Sequence, residues 1–131
     1  VSLTWQDGAP AVGEYLELMR LAGEGRRAPA AAAKGLEGSL HVVAARRRGR
    51  LVGLGRLVGD GGTVAQIVDV AVDPEMRGQG LGTGIVERLI AWAEAELPAT
   101  CGIVLIAPPG SAALYKRFGF EIRTGMERIL P

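Results

Sequence analysis

The chain has 131 residues, 48% of them apolar, and a formal net charge of +1 at pH 7. That length supports one globular domain over 1–131 with an ordinary core and leaves no room for a second. The near-neutral balance gives no global field toward nucleic acid or acidic membrane, and Cys101 and His41, each the sole residue of its type, cannot make a zinc set, so neither nucleic acid nor metal is expected.

In chain order, Leu3 to Trp5 reads as a short edge strand, and Val12, Tyr15, Leu16 and Met19 recur at the spacing of one helix face. Gly23-Glu24-Gly25 breaks that helix, and Pro29 opens a second, alanine-rich one running to about Leu36. Leu40 to Arg47 and Leu51 to Val58 read as two strands with Arg48-Gly49 as their turn, which makes the arginines at 46, 47, 48 and 50 a solvated hairpin tip. Gly59 to Gly62 turns the chain into Val64 to Val72, apolar on both alternating faces except at Gln66 and Asp69, the pattern of a covered central strand. A long helix from Gly80 carries Leu81, Ile85, Leu89 and Trp92 on one side and stops before Pro98. Gly102 to Ala107 predicts a fifth strand, the segment holding Tyr115 a short helix ending at Gly119, and Phe120 to Ile122 with Met126 to Leu130 two closing strands. No apolar run reaches membrane-spanning length and no leader pattern opens the chain, so the expected setting is cytoplasmic, away from membranes.

The most specific segment is Val70-Ala71-Val72-Asp73-Pro74-Glu75-Met76-Arg77-Gly78-Gln79-Gly80-Leu81-Gly82, an apolar strand running into a glycine turn that opens a helix. Glycines at 78, 80 and 82 let backbone N–H groups converge, and the helix start adds unpaired donors and a positive dipole end, which together suit a diphosphate. The glycine spacing fits neither a Rossmann fingerprint nor a P-loop. This segment resembles motif A of the GNAT superfamily of acyl-CoA-dependent N-acyltransferases, and Ala112-Ala113-Leu114-Tyr115-Lys116-Arg117-Phe118-Gly119-Phe120 resembles its motif B. The element order agrees with that family along nearly the whole chain.

The resemblance implies an α/β fold with a mixed, mostly antiparallel sheet of six to seven strands, splayed between strands 4 and 5 and flanked by about four helices. It further implies acetyl-CoA as cosubstrate, an amine of a small molecule or protein as acceptor, and a possible homodimer. The cofactor would lie against Val70, Ala71 and Val72 of the central strand and against Arg77, Gly78, Gln79, Gly80, Leu81, Gly82 and Thr83, with Tyr115 beside the sulfur. Tyr115 is the candidate for protonating the departing thiolate, the alternative being an aromatic packed beside Leu114 and Phe118. Asp69, a carboxylate among valines, is either a catalytic group for the amine or a structural ion pair with Arg56 or another arginine. The sequence departs from the family at Gln66, where some members carry a glutamate, and at Pro108, where many carry an asparagine. Both departures leave open a non-catalytic acyl-CoA sensor or interaction module with the same fold.

Overall fold

The computed structural model describes residues 2–131. Its elements are β1 (Thr4–Asp7), α1 (Val12–Ala22), α2 (Pro29–Glu37), β2 (His41–Arg47), β3 (Arg50–Gly59), β4 (Val64–Val72), a 3-10 turn (Pro74–Met76), α3 (Leu81–Glu96), β5 (Gly102–Val104) and α4 (Ala112–Lys116). The strands lie in chain order across one sheet, antiparallel from β1 to β4, with β5 parallel to β4.

Strand alternation distributes the apolar residues to two faces and so creates two cores. Val43, Ala45, Leu57, Ala65 and Ile67 pack under Leu81, Ile85, Leu89 and Ala93 of α3. On the opposite face Val42, Ala44, Leu54 and Ala71 pack under Tyr15, Leu18 and Met19 of α1 and Ala32 and Leu36 of α2. The helix α3 can lie close to β3 because two strand positions lack side chains. A Cβ on Gly55 would stand 2.6 Å from Ile85 Cγ2 and 2.9 Å from Leu89 Cδ1, and one on Gly53 would stand 3.0 Å from Ile85 Cδ1.

Two features of the sheet position the site. The strand β5 pairs with β4 only from Val64↔Gly102 to Gln66↔Val104, so residues 67–72 of β4 have no β5 partner and the sheet opens there. Facing β3, the register jumps from Arg56↔Val68 to Leu54↔Ala71, so Asp69 and Val70 together oppose Gly55, and β4 bulges. The bulge reverses the alternation: Ala65 and Ile67 face α3, whereas beyond it Val70 and Val72 face α3 and Ala71 faces α1.

The class and the splay between β4 and β5 agree with expectation, but the described residues contain five strands rather than six or seven. The fifth is shorter than the expected span to Ala107, and neither Phe120 to Ile122 nor Met126 to Leu130 forms a strand. The physical reason is the missing burial. The side chains of Ile122, Met126, Ile129 and Leu130 are 69–92% exposed, so ladder pairing there would cover no apolar face, and a three-residue β5 offers only a short edge to pair with.

Candidate active site

The opening between β4 and β5 is the floor of a cleft of about 800 Å³, lined by residues 66–72 of β4, the turn and first residues of α3, Tyr115, and the loop between α1 and α2.

One end of the cleft is built by the chain leaving β4. Asp73 is buried, accepts from Glu75 N at 2.9 Å and from Arg50 Nη1 at 2.6 Å, and thereby caps the 3-10 turn and pins the strand exit to β3. Burial pushes the Asp73 carboxyl up, but the Glu75 N–H and the Arg50 guanidinium outweigh it and hold it below the ordinary value. Gly78 and Gly80 then adopt φ of +80° and +78°, and a Cβ at either would meet nothing within 4 Å, so these glycines serve the left-handed turn rather than relieving a clash. The first α3 hydrogen bond runs from Gly84 N to Gly80 O, which leaves the amides of 81, 82 and 83 without an intrahelical acceptor at the dipole's positive end. Of the residues expected to hold the cofactor, Val70, Ala71, Val72, Arg77, Gly78, Gly80, Leu81, Gly82, Thr83 and Tyr115 line the cleft; Gln79 does not. The Arg77 side chain turns back to Ala22 O at 3.4 Å, at the end of α1.

At the other end, α4 places Tyr115 on the cleft wall, edge-on to Phe120 with ring centroids 6.0 Å apart. The ring is 7% exposed, and among the described residues its hydroxyl has no hydrogen-bond partner. Burial first and the negative charge of Glu24 second push its phenol up, which keeps it protonated near neutrality. Tyr115 therefore packs and also faces the cleft.

Asp69 sits at the bulge with φ of +54° and a side chain only 5% exposed. Its Oδ2 accepts from Tyr15 Oη at 2.6 Å and Arg56 Nε at 2.9 Å, and its Oδ1 accepts from Arg27 Nη2 at 2.6 Å. Burial pushes this carboxyl up, yet the Tyr15 hydrogen bond and the charges of Arg56 and Arg27 outweigh it, leaving it below the ordinary carboxylate range. Tyr15 pays the reciprocal effect: burial, then the Asp69 carboxylate, push its phenol up to about 12. The ion pair with Arg56 was legible from the sequence. The parts played by Tyr15, Arg27 and Asp73 were not, although an aspartate amid valines signals that partners must exist and Asp-Pro-Glu is a helix-start pattern.

His41 stacks on Trp92 with centroids 4.8 Å apart and places Nε2 3.3 Å from Asp7 Oδ1. Cys101 is half-buried at the edge of the α3 core. Among the described residues there is no group of three metal-ligating side chains, and no helix is long and apolar enough to cross a membrane.

Comparison with known proteins places this geometry. Residues 11–120 match the profile of the acetyltransferase (GNAT) family. The chain is similar to GCN5-related N-acetyltransferase 2, chloroplastic, of Arabidopsis thaliana, with 41% identity over 55% of this chain and 27% of that protein. It is likewise similar to serotonin N-acetyltransferase 2, chloroplastic, of Oryza sativa subsp. japonica, with 36% identity over 56% of this chain and 36% of that protein. The chain thus spans about a third of the length of these plant relatives. A solved structure from meticillin-resistant Staphylococcus aureus, described as a protein of unknown function and "probable acetyltransferase", superposes with a TM-score of 0.91 at 33% identity, covering 98% of this chain and all of that one.

Proposed function

The chain belongs to the acetyltransferase (GNAT) family, and on that premise we propose that it moves an acetyl group from acetyl-CoA to a primary amine by direct attack in a ternary complex. The observation that carries this reading is the continuity of one cleft from the glycine turn, past the unpaired stretch of β4, to Tyr115. The free amides at the start of α3 and the unpaired edge of β4 along the cleft suit a pyrophosphate followed by an extended thiol-bearing arm. When bound, acetyl-CoA supplies the activated thioester.

In this reading the amides of residue 78 and of residues 80–82, with Arg77 secondary, hold the pyrophosphate, and Thr83 and Leu81 flank it. The open edge of β4 from Val70 to Val72 pairs with the extended arm as an added strand would, and an amide at the bulge polarises the thioester oxygen. The acceptor ammonium first gives one proton through water to solvent, since Gln66 is no base. The free amine then attacks the carbonyl carbon, the C–S bond breaks, the Tyr115 hydroxyl gives its proton to the departing sulfur, and the proton shed by the acylated nitrogen restores the phenol.

The acceptor enters past the α1–α2 loop, where Glu24 and, from the C-terminal segment, Glu127 line the cleft and favour an approaching ammonium ion. The rice relative's name makes an arylalkylamine one acceptor to try. We propose a cytoplasmic setting and pairing of this domain with a second copy, a state that would cover the exposed Ile122, Met126, Ile129 and Leu130.

The test is release of free thiol from acetyl-CoA with a panel of serotonin, spermidine and a lysine-containing peptide. Amine-dependent release with at least one is expected. Tight acetyl-CoA binding with no release for any amine would replace the enzyme by the sensor reading.

A further inference from the structure

We infer that Asp69 is a positioning residue, pinned by Tyr15, Arg56 and Arg27 so that its left-handed backbone holds the β4 bulge open and fastens the acceptor-side loop to it. The inference rests on the transfer reading above.

Three separate elements converge on this one carboxylate: Tyr15 from α1, Arg27 from the α1–α2 loop and Arg56 from β3. Both carboxylate oxygens are occupied, and each arginine is held from a second side. Arg27 Nη1 donates to Glu24 O at 2.7 Å, while Arg56 Nη1 donates to Gly35 O at 2.9 Å and Ser39 Oγ at 3.0 Å. A carboxylate so engaged and so buried is a poor acceptor for an ammonium proton, because taking it would dissolve two buried ion pairs.

The backbone shows what the network achieves instead. A non-glycine residue at φ of +54° inside a strand is uncommon and strained, and persists when its surroundings dictate it. Without the bulge, alternation would aim residue 69 at α3 alongside Ala65 and Ile67, a charge in an apolar core; with it, the carboxylate reaches its three donors on the other face. The same shift leaves 69 and 70 without one-to-one ladder partners on β3, within the very stretch of β4 that β5 also leaves free. Through Arg27 the loop that flanks the acceptor's entrance is tied to that bulge.

The test uses three variants and two readouts. Asp69→Asn removes the charge and both ion pairs but keeps one oxygen for Tyr15 and Arg56 and accepts the left-handed region, Asp69→Val keeps no oxygen and disfavours that region, and Tyr15→Phe with Arg27→Gln thins the network while leaving residue 69 in place. The first readout is the carbonyl stretch of acetyl-CoA carrying carbon-13 at the thioester carbonyl, bound without acceptor. The second is kcat and KM against pH with the best amine of the panel.

Wild type is expected to lower the carbonyl frequency relative to free acetyl-CoA. Asp69→Asn should retain the lowering, with kcat down less than about tenfold and the acidic limb of the profile unmoved. Asp69→Val, or the double variant should Asp69→Val not fold, should lose the lowering and more than about tenfold in kcat. Loss of turnover in Asp69→Asn with its carbonyl frequency intact, or disappearance of the acidic limb, would make Asp69 a base and overturn the inference. A lowered, Asp69-dependent frequency in a protein that acetylates no amine would support it while removing the transfer reading, and a frequency insensitive to all variants would overturn it alone.

Discussion

Tyr115 and Tyr15 are both phenols pushed up first by burial and then by a neighbouring carboxylate, yet we assign them different work, and the difference is what each hydroxyl meets. Tyr15 donates to Asp69, whereas the Tyr115 hydroxyl has no protein partner among the described residues and faces the cleft. Tyr115→Phe should therefore lower kcat about 100-fold with little change in the KM for acetyl-CoA, measured by thiol release. An unchanged kcat would leave the ring as packing. Tyr15→Phe should instead cost about 1.5–3 kcal/mol in denaturant unfolding, the range for a hydrogen bond to a charged group. The pH dependence follows with opposite signs. The Tyr15 contribution is complete below its free value of 10.0 and is lost as pH rises toward about 12, so the variant should lack that alkaline loss. The Asp69 contribution is complete above its free value of 3.8 and is lost as pH falls through its depressed folded value. At this scale the sequence named Asp69 and Tyr115 and one arginine partner, because a charge in a β-run and a tyrosine before Phe-Gly-Phe are local signals. Tyr15 and Arg27 lie 54 and 42 residues from Asp69, and nothing local connects them.

Periodicity resolved the elements wherever they bury a face. The helices α1, α2 and α3, and the strands β2, β3 and β4 fall close to their expected spans, since each contributes alternating or helical apolar rows to one of two cores. The bulge in β4 escaped this reading: an inserted residue preserves composition and changes only which face each later residue takes. The C-terminal strands failed for the opposite reason, having apolar sequence but no face to cover it. Gly55 lies against Ile85 and Leu89 of α3. Its Cβ would press into Ile85 and Leu89, so Gly55→Ala should destabilise by about 1–3 kcal/mol through overpacking of α3 on β3. Gly80→Ala meets no atom and should cost only about 1 kcal/mol for the left-handed backbone, but should also raise the KM for acetyl-CoA by tilting the amides of the turn. Urea unfolding of both variants, with acetyl-CoA kinetics of the second, checks the distinction between a glycine kept for space and one kept for conformation.

In the molecule as a whole, a sheet covered on both faces is opened at one point, where β5 leaves β4, and the glycine turn, the bulge and Tyr115 all border that opening. Family membership and general architecture were readable from two motifs and the order of elements; the acceptor is not, because the surfaces we propose to meet it are a loop and a tail whose residues follow no repeat. The central claim is that this opening receives acetyl-CoA, and thermal unfolding with and without ligand tests it most directly. At 100 times its dissociation constant acetyl-CoA should add about 2.7 kcal/mol and raise the Tm by about 10 °C, while adenosine diphosphate at the same concentration should raise it by far less. No shift with saturating acetyl-CoA, or an equal shift with the nucleotide alone, would contradict the account.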